Sequence, residues 1–183
     1  PGARVDDQAL RLADLGALDE ARPLWFTPAD LPESCIPLME QLLADKRLGT
    51  DDIWERLRRL LEAKKLGAAK ATAAYLPVGQ APSAKTLDAI ADKPLRHLAL
   101  LPPNFAASRQ GREMALFAVQ RLARTDPAQA AQQWEGIRDK FSAADGGYIY
   151  AQIGWQAALR HLPEALAWYA AAGNAPLSDE QVA

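Results

Sequence analysis

Residues 51–64 read DDIWERLRRLLEAK, which is the pattern of an amphipathic helix. The two acidic residues at its start suit the positive end of a helix dipole, and Thr50 before them is the predicted N-cap. The apolar face consists of Ile53, Trp54, Leu57, Leu60 and Leu61. The charged face consists of Glu55, Arg56, Arg58, Arg59 and Glu62. Such a helix is stable only when other elements cover its apolar face.

The rest of the chain also favours helices. Among its 183 residues, alanine and leucine are frequent, whereas the β-branched residues valine and isoleucine are few. Asp126-Pro127 is a typical helix start, and Ser142 with Asp145 resembles a capping box for a long helix that reaches about His161. We expect one face of this long helix to carry Tyr148, Gln152, Trp155 and Leu159. The composition and the helix starts predict an all-α fold.

Short breaks separate the predicted helices, so we expect consecutive helices to pack antiparallel. Prolines make residues 77–82 and 101–104 the least regular stretches, and the first of them suggests a weak subdivision near residues 77–83. Near the end of the sequence, Ser178-Asp179-Glu180-Gln181 has the capping-box form that begins a helix. The domain prediction is a single helical-repeat segment over residues 1–183.

A weak internal repeat supports this organisation. Alanine is followed four residues later by an aromatic residue in four predicted helix pairs, where the small residue would let a neighbouring helix approach beside the ring. The four pairs are Ala21/Trp25, Ala71/Tyr75, Ala130/Trp134 and Ala165/Tyr169. Because their spacing is irregular, we predict an α-superhelix, a degenerate tetratricopeptide-like solenoid of antiparallel helix pairs.

Composition also excludes several functions. The net charge of -2 lacks the basic excess of nucleic-acid binders, so we predict no nucleic-acid partner. A single cysteine allows no internal disulfide, and with only two histidines no Cys/His zinc site is expected. The sequence contains no phosphate-binding loop, dinucleotide fingerprint or nucleophile elbow, and no apolar run long enough to span a bilayer. We predict no cofactor, no metal and no membrane span.

Four groups of residues could carry chemistry, and in each the structural interpretation is favoured. Glu33-Ser34 follows Pro32 and most simply begins a helix, although it could be a catalytic acid beside a hydroxyl. His97 and His161 have no partner at metal or triad spacing and suit capping or solvated positions. A run of basic residues comprises Arg56, Arg58, Arg59, Lys64 and Lys65. This basic run could contact an anionic polymer, but the acidic residues interleaved with it favour a solvated face. The tryptophans could stack on sugars but fit a core better; they are Trp25, Trp54, Trp134, Trp155 and Trp168.

Several segments, taken in order, resemble the N-terminal superhelical U-type region of the soluble lytic murein transglycosylases. The similarity covers most of the chain from about Leu12. The segments are Leu31-Pro32-Glu33-Ser34-Cys35, Ile53-Trp54-Glu55-Arg56-Leu57, Ala73-Ala74-Tyr75-Leu76-Pro77, Leu122-Ala123-Arg124-Thr125-Asp126-Pro127, Ala165-Leu166-Ala167-Trp168-Tyr169 and Leu177-Ser178-Asp179-Glu180-Gln181.

This resemblance implies a parent enzyme that cleaves the bond between N-acetylmuramic acid and N-acetylglucosamine and leaves an anhydro-muramyl end. The family's catalytic Glu-Ser is followed by Gly-Leu-Met-Gln and Ala-Gly-Tyr-Asn segments, and this sequence has neither. We therefore assign no catalytic role to Glu33 and no catalytic, cofactor or metal residue in this chain. Relatives often pair Cys35 with an earlier cysteine, but Ala9 stands at that position, so we expect a free, buried thiol.

The resemblance predicts a non-catalytic scaffold segment, a processed or excised part of a longer protein. Its expected partners are the remainder of the parent chain with its catalytic domain, and peptidoglycan glycan strands or cell-wall proteins. The expected compartment is the periplasm, with the parent either free or anchored to the outer membrane. The alternative is a tetratricopeptide-like module that binds a protein or peptide on its concave face.

Overall fold

The computed structural model describes residue 16 and residues 18–176, and these residues form helices and connecting turns with no strand. Helix α1 covers residues 18–25. The other α-helices are α2 (Ile36–Ala44), α3 (Thr50–Glu62), α4 (Leu66–Ala73), α5 (Ala84–Asp92), α6 (Pro94–Ala99), α7 (Arg109–Ala123), α8 (Pro127–Glu135), α9 (Ala143–Ala158) and α10 (Ala165–Ala172). Short 3-10 helices cover Glu33–Cys35, Phe105–Ala107 and Arg138–Lys140. The all-α prediction is confirmed.

Side-chain caps begin several of these helices where the sequence predicts them. The Asp126 carboxylate accepts the Gln129 N–H at 2.8 Å at the start of α8. The Ser142 hydroxyl oxygen accepts the Asp145 N–H at 3.1 Å at the start of α9. These two predicted starts are confirmed, because each cap satisfies an N–H that has no acceptor within the helix.

The start of α3 differs from the prediction. Thr50 is the first helical residue, and Gly49 is the N-cap. The Gly49 N–H donates to the Asp52 carboxylate at 2.8 Å. Because Asp52 supplies the bond that fixes the first turn, the helix does not need the Thr50 hydroxyl as a cap.

The chain divides into two compact units between Ala81 and Pro82, inside the proline-rich stretch 77–82. The first unit contains α1–α4, and the second contains α5–α10. Neither this stretch nor residues 101–104 is helical, in agreement with the prediction from their prolines. The expectation of a single repeat segment over residues 1–183 stays a prediction.

In the first unit the core forms around α3, which packs against α4. All five residues of its predicted apolar face are buried. Trp25 of α1 is fully buried, and its ring meets the Tyr75 ring edge to face, with 5.9 Å between centroids. The amphipathic pattern of residues 51–64 therefore identified this core correctly.

In the second unit α7 is the central helix and contacts α5, α6, α8 and α9. Its residues 113–120 are all buried, so it is covered on every side. Sequence reasoning did not identify this helix, because a fully covered helix has no exposed face to produce an amphipathic pattern.

Helix α9 packs along α10 with a different face from the one predicted. Of the predicted stripe, only Gln152 is buried, and Leu159 is exposed. The observed contact uses glycines, since a Cβ at Gly154 would lie 3.2 Å from the Tyr169 backbone nitrogen. The small residues, and not the large apolar ones, decide which side of α9 faces its neighbour.

None of the helices in the described part of the chain combines the length and the hydropathy that a membrane crossing requires.

Candidate functional site

Glu33 begins the 3-10 helix Glu33–Cys35, and Pro32 precedes it as the N-cap. Its carboxylate is exposed, and Ser34 beside it is exposed as well. A general acid for glycoside cleavage must be held against the leaving oxygen inside a cleft that binds the sugar. The position of Glu33 matches the predicted structural role at a helix start.

Cys35 is a free thiol, but it is half-buried and not buried as expected. It lies at the N-cap position of α2, where Met39 and Leu42 are the buried residues of the helix. The N-cap lies outside the helix proper, so the apolar neighbours of Cys35 in sequence do not enclose it. Ala9, the position that the family resemblance aligns with a partner cysteine, lies outside the described residues.

The basic run forms the predicted solvated face only in part. Arg59, Lys64 and Lys65 are exposed, but Arg56 is buried with 2% of its surface exposed. Its guanidinium lies 5.2 Å from the centroid of the Trp25 ring. It donates hydrogen bonds to the backbone carbonyl oxygens of Trp25, Thr27 (3.0 Å) and Ala29 (3.1 Å). Burial lowers the pKa of Arg56, while Asp30 opposes that change. Arg56 therefore holds the chain after α1 against α3.

Two further residues of the run reach the same segment, residues 26–30. Arg59 donates to the Phe26 carbonyl oxygen at 3.2 Å and forms an ion pair with Glu55 at 2.6 Å. The Lys65 ammonium lies 3.1 Å from the Asp30 carboxylate. Three of the five basic residues thus contact residues 26–30, and Arg59 and Lys65 do so while about half exposed.

The two histidines have different surroundings. His161 is exposed and follows α9 with φ of 54°, and the next N–H, that of Leu162, donates to the Ala157 carbonyl oxygen at 3.0 Å. This bonding pattern terminates a helix with a left-handed residue, so the predicted capping role is confirmed and α9 ends at Ala158.

His97 of α6 is half-buried, and its Nε2 atom is buried without a hydrogen-bond partner in the described part of the chain. Burial lowers the pKa of His97 because the charged imidazolium loses hydration. The structure places it apart from any cluster of three potential metal-ligating side chains, since none is found among residues 16 and 18–176.

Three of the five tryptophans are core residues, as predicted, namely Trp25, Trp54 and Trp134. Trp155 and Trp168 are half-buried on α9 and α10. The alanine-aromatic pairs divide in a similar way, because Ala21/Trp25 and Ala130/Trp134 are buried whereas Ala71 is exposed. The repeat pattern therefore marks buried contacts at some of its positions but not at all of them.

One acidic residue that sequence reasoning missed lies in a compact polar cluster. One Glu135 oxygen accepts a hydrogen bond from the Tyr150 hydroxyl, and the other lies 2.9 Å from Arg138 Nε. Burial and this carboxylate raise the pKa of Tyr150. The Tyr150 hydrogen bond links α8 to α9, while the side chains of Glu135 and Arg138 stay more than half exposed.

The glycines of α9 are the second feature that sequence reasoning missed. A Cβ at Gly147 would lie 2.9 Å from the Ala172 carbonyl oxygen, so this position requires glycine for the approach of α10. The available signal was a pair of glycines, Gly146-Gly147, inside a predicted helix, where glycine is unfavourable unless packing requires it. These contacts, like those of Arg56, are structural.

No protein-family profile matches the sequence, and no curated protein matches it. Among solved structures, an inactive mutant of the lytic transglycosylase Slt from Pseudomonas aeruginosa is similar, with a TM-score of 0.69 and 23% sequence identity. The match covers 89% of this chain and 26% of that protein. The chain thus spans about a quarter of the length of its structural neighbour, and the likeness shows a fold that a lytic transglycosylase also contains.

Proposed function

We propose that this chain is a non-catalytic scaffold segment of a lytic transglycosylase, whose complete protein cleaves the bond between N-acetylmuramic acid and N-acetylglucosamine. The observation that carries the proposal is the structural likeness to Slt over 89% of this chain but only 26% of that protein. A match of this extent is expected of one helical portion of a larger enzyme.

The contacts of the described residues support a scaffold role. Three of the groups that could have carried chemistry serve packing or capping: Arg56 fastens residues 26–30, His161 ends a helix, and Glu33 begins one. Charged side chains used in this way hold a shape, whereas a catalytic site needs them directed at a substrate.

The partners and the compartment follow from the same proposal. The first partner is the remainder of the parent chain, including a catalytic domain of the lysozyme-like kind. Glycan strands of peptidoglycan and cell-wall proteins are further partners, and the proposed compartment is the periplasm, with the parent free or anchored to the outer membrane.

Sequencing the gene beyond the codon for Ala183 tests the proposal. We expect the same reading frame to encode a lysozyme-like domain with the Glu-Ser, Gly-Leu-Met-Gln and Ala-Gly-Tyr-Asn segments of the family. A frame that encodes no such domain would overturn the scaffold assignment and favour the tetratricopeptide-like module, which needs no enzyme attached to it.

A further inference from the structure

The segment 26–30, which follows α1, lies against α3 without placing a side chain of its own in the core. Phe26 is half-buried, and the four residues after it are exposed. The N–H groups of Phe26 and Thr27 donate to the Pro23 and Leu24 carbonyl oxygens, within the last turn of α1. Burial of apolar surface therefore contributes little to the attachment of this segment.

Three cationic side chains hold the segment, and they come from α3 and the connection after it. Arg56 bonds to three carbonyl oxygens, Arg59 bonds to one, and Lys65 forms an ion pair. The guanidinium carbons of Arg22 and Arg59 lie 5.1 and 5.5 Å from the centroid of the Phe26 ring, which is the range of a cation–π contact. The attachment therefore consists of charge–dipole, cation–π and ion-pair contacts.

The connection before α7 is held differently. The Phe105 ring packs against the Phe141 ring, with 6.0 Å between centroids. A Cβ at Gly111 would overlap the Phe105 carbonyl oxygen, so the backbone of this connection lies directly on α7. Close packing of this kind cannot open without disturbing the helix beneath it, whereas the side-chain bonds to residues 26–30 can break without moving the backbone of α3.

The helices on either side of residues 26–30 have anchors of their own. Trp25 is fully buried at the end of α1, and Met39 and Leu42 are buried in α2. Segments with few buried apolar contacts open at a lower free energy than the elements that flank them. Opening would therefore stop at α1 and α2, and its main effect would be on Arg56, whose buried guanidinium would exchange carbonyl oxygens for water.

We propose that residues 26–30 form an electrostatic strap, which opens from α3 while α1 and α3 stay folded. In the closed state Arg56 bonds to the backbone beneath the strap, and in the open state its guanidinium is accessible to solvent. The strap is a conformational device of the first unit, and this inference stands apart from the proposed function.

Modification of arginine by phenylglyoxal tests the proposal on the full chain, because the reagent attacks a guanidinium only when solvent reaches it. Arg96 is the reference, since it is exposed on α6 in the other unit. We expect Arg56 to react about a hundredfold more slowly than Arg96, as for a strap that is open about 1% of the time. Hydrogen exchange of the α3 amides in the same buffer should show protection well above a hundredfold, because the helix stays folded when the strap opens.

Two lysine variants test whether the strap controls access to Arg56. Lys65→Met and Lys93→Met each remove an exposed lysine from an ion pair, with Asp30 at 3.1 Å and with Asp92 at 3.7 Å, but only Lys65 contacts the strap. We expect Lys65→Met to speed the modification of Arg56 about twofold to fivefold, and Lys93→Met to leave it unchanged. In the unaltered chain, raising NaCl from about 0.05 M to about 0.5 M should also speed it, because salt screens the ion pair.

Equal protection of Arg56 and of the α3 amides would overturn the proposal, because solvent would then reach Arg56 only when the helix unfolds. A rate at Arg56 that responds neither to Lys65→Met nor to salt would overturn it too, since the strap would not control access. Circular dichroism of each variant confirms that the helices are retained.

Discussion

At the scale of single residues, Arg56 shows how a charge is used inside the first unit. Its guanidinium donates to three backbone carbonyl oxygens, those of Trp25, Thr27 and Ala29. A buried carbonyl that loses its donor pays the full cost of its lost hydration. The stability of the first unit therefore depends on this one side chain more than on the exposed ion pairs around it.

The comparison of Arg56→Met with Arg59→Met tests this dependence. Both arginines lie on α3 and reach the segment after α1, but Arg59 is about half exposed. We expect Arg56→Met to lower the free energy of unfolding by about 2–4 kcal/mol, because it leaves one buried carbonyl oxygen, that of Trp25, and two part-buried ones without their donor. Arg59→Met should cost less than about 1 kcal/mol. Urea unfolding measures both, and equal losses would contradict the role of Arg56.

His97 gives a prediction about pH. Burial lowers the pKa of His97 in the folded state below the ordinary value near 6.5, so the unfolded chain binds its proton more readily. The free energy of unfolding should be unaffected above pH 7 and should fall as the pH drops below about 6.5. His97→Gln should remove this part of the pH dependence. Denaturant titrations at pH 8, 7, 6 and 5 would refute the prediction if the two proteins lost stability in parallel.

At the scale of helices, two adjacent glycines of α9 allow a test of the close contact with α10, one as the test position and the other as its control. Gly146 and Gly147 are adjacent, but a Cβ at Gly147 would lie 2.9 Å from the Ala172 carbonyl oxygen, whereas one at Gly146 would meet only Trp134 at 3.9 Å. Gly147→Ala should destabilise the protein by about 1–3 kcal/mol through overpacking. Gly146→Ala should stabilise it by about 0.5–1 kcal/mol, because alanine favours the helix. The two changes should shift the thermal midpoint in opposite directions, and a shift of the same sign would count against the close contact.

The helices also show which sequence patterns were informative. The amphipathic residues 51–64 predicted both α3 and its buried face, because one side of that helix meets the core and the other meets water. The predicted face of α9 was wrong, since its contact with α10 is made by glycines, which leave no apolar signal. Arg56 was wrongly assigned to the solvent-exposed face for a related reason. The amphipathic pattern treats every charged residue as exposed, and it cannot show that backbone carbonyl groups lie close enough to bond with the guanidinium.

At the scale of the whole molecule, composition was sufficient for the all-α fold but not for the roles of the candidate site residues. Abundant alanine and leucine favour helices wherever they occur, so the fold class follows from local preferences alone. The sequence favoured burial of both Trp155 and Cys35, but both are half-buried. How far each side chain is covered depends on which helices pack against it. Long-range packing of this kind has no short-range signature.

The last prediction concerns the activity of the molecule as a whole. Purified alone, the chain should release no anhydro-muropeptides from cell-wall sacculi, and Glu33→Gln should change nothing in that assay. Cleavage of a glycosidic bond needs an acid whose proton is held against the leaving oxygen, and such help contributes about a hundredfold to ten-thousandfold only in that geometry. The Glu33 carboxylate is exposed at the start of a 3-10 helix. Chromatography of the digest measures these products, with an active lytic transglycosylase as the positive control. Anhydro products that appear with this chain and vanish with Glu33→Gln would place catalysis at Glu33 and refute the scaffold role.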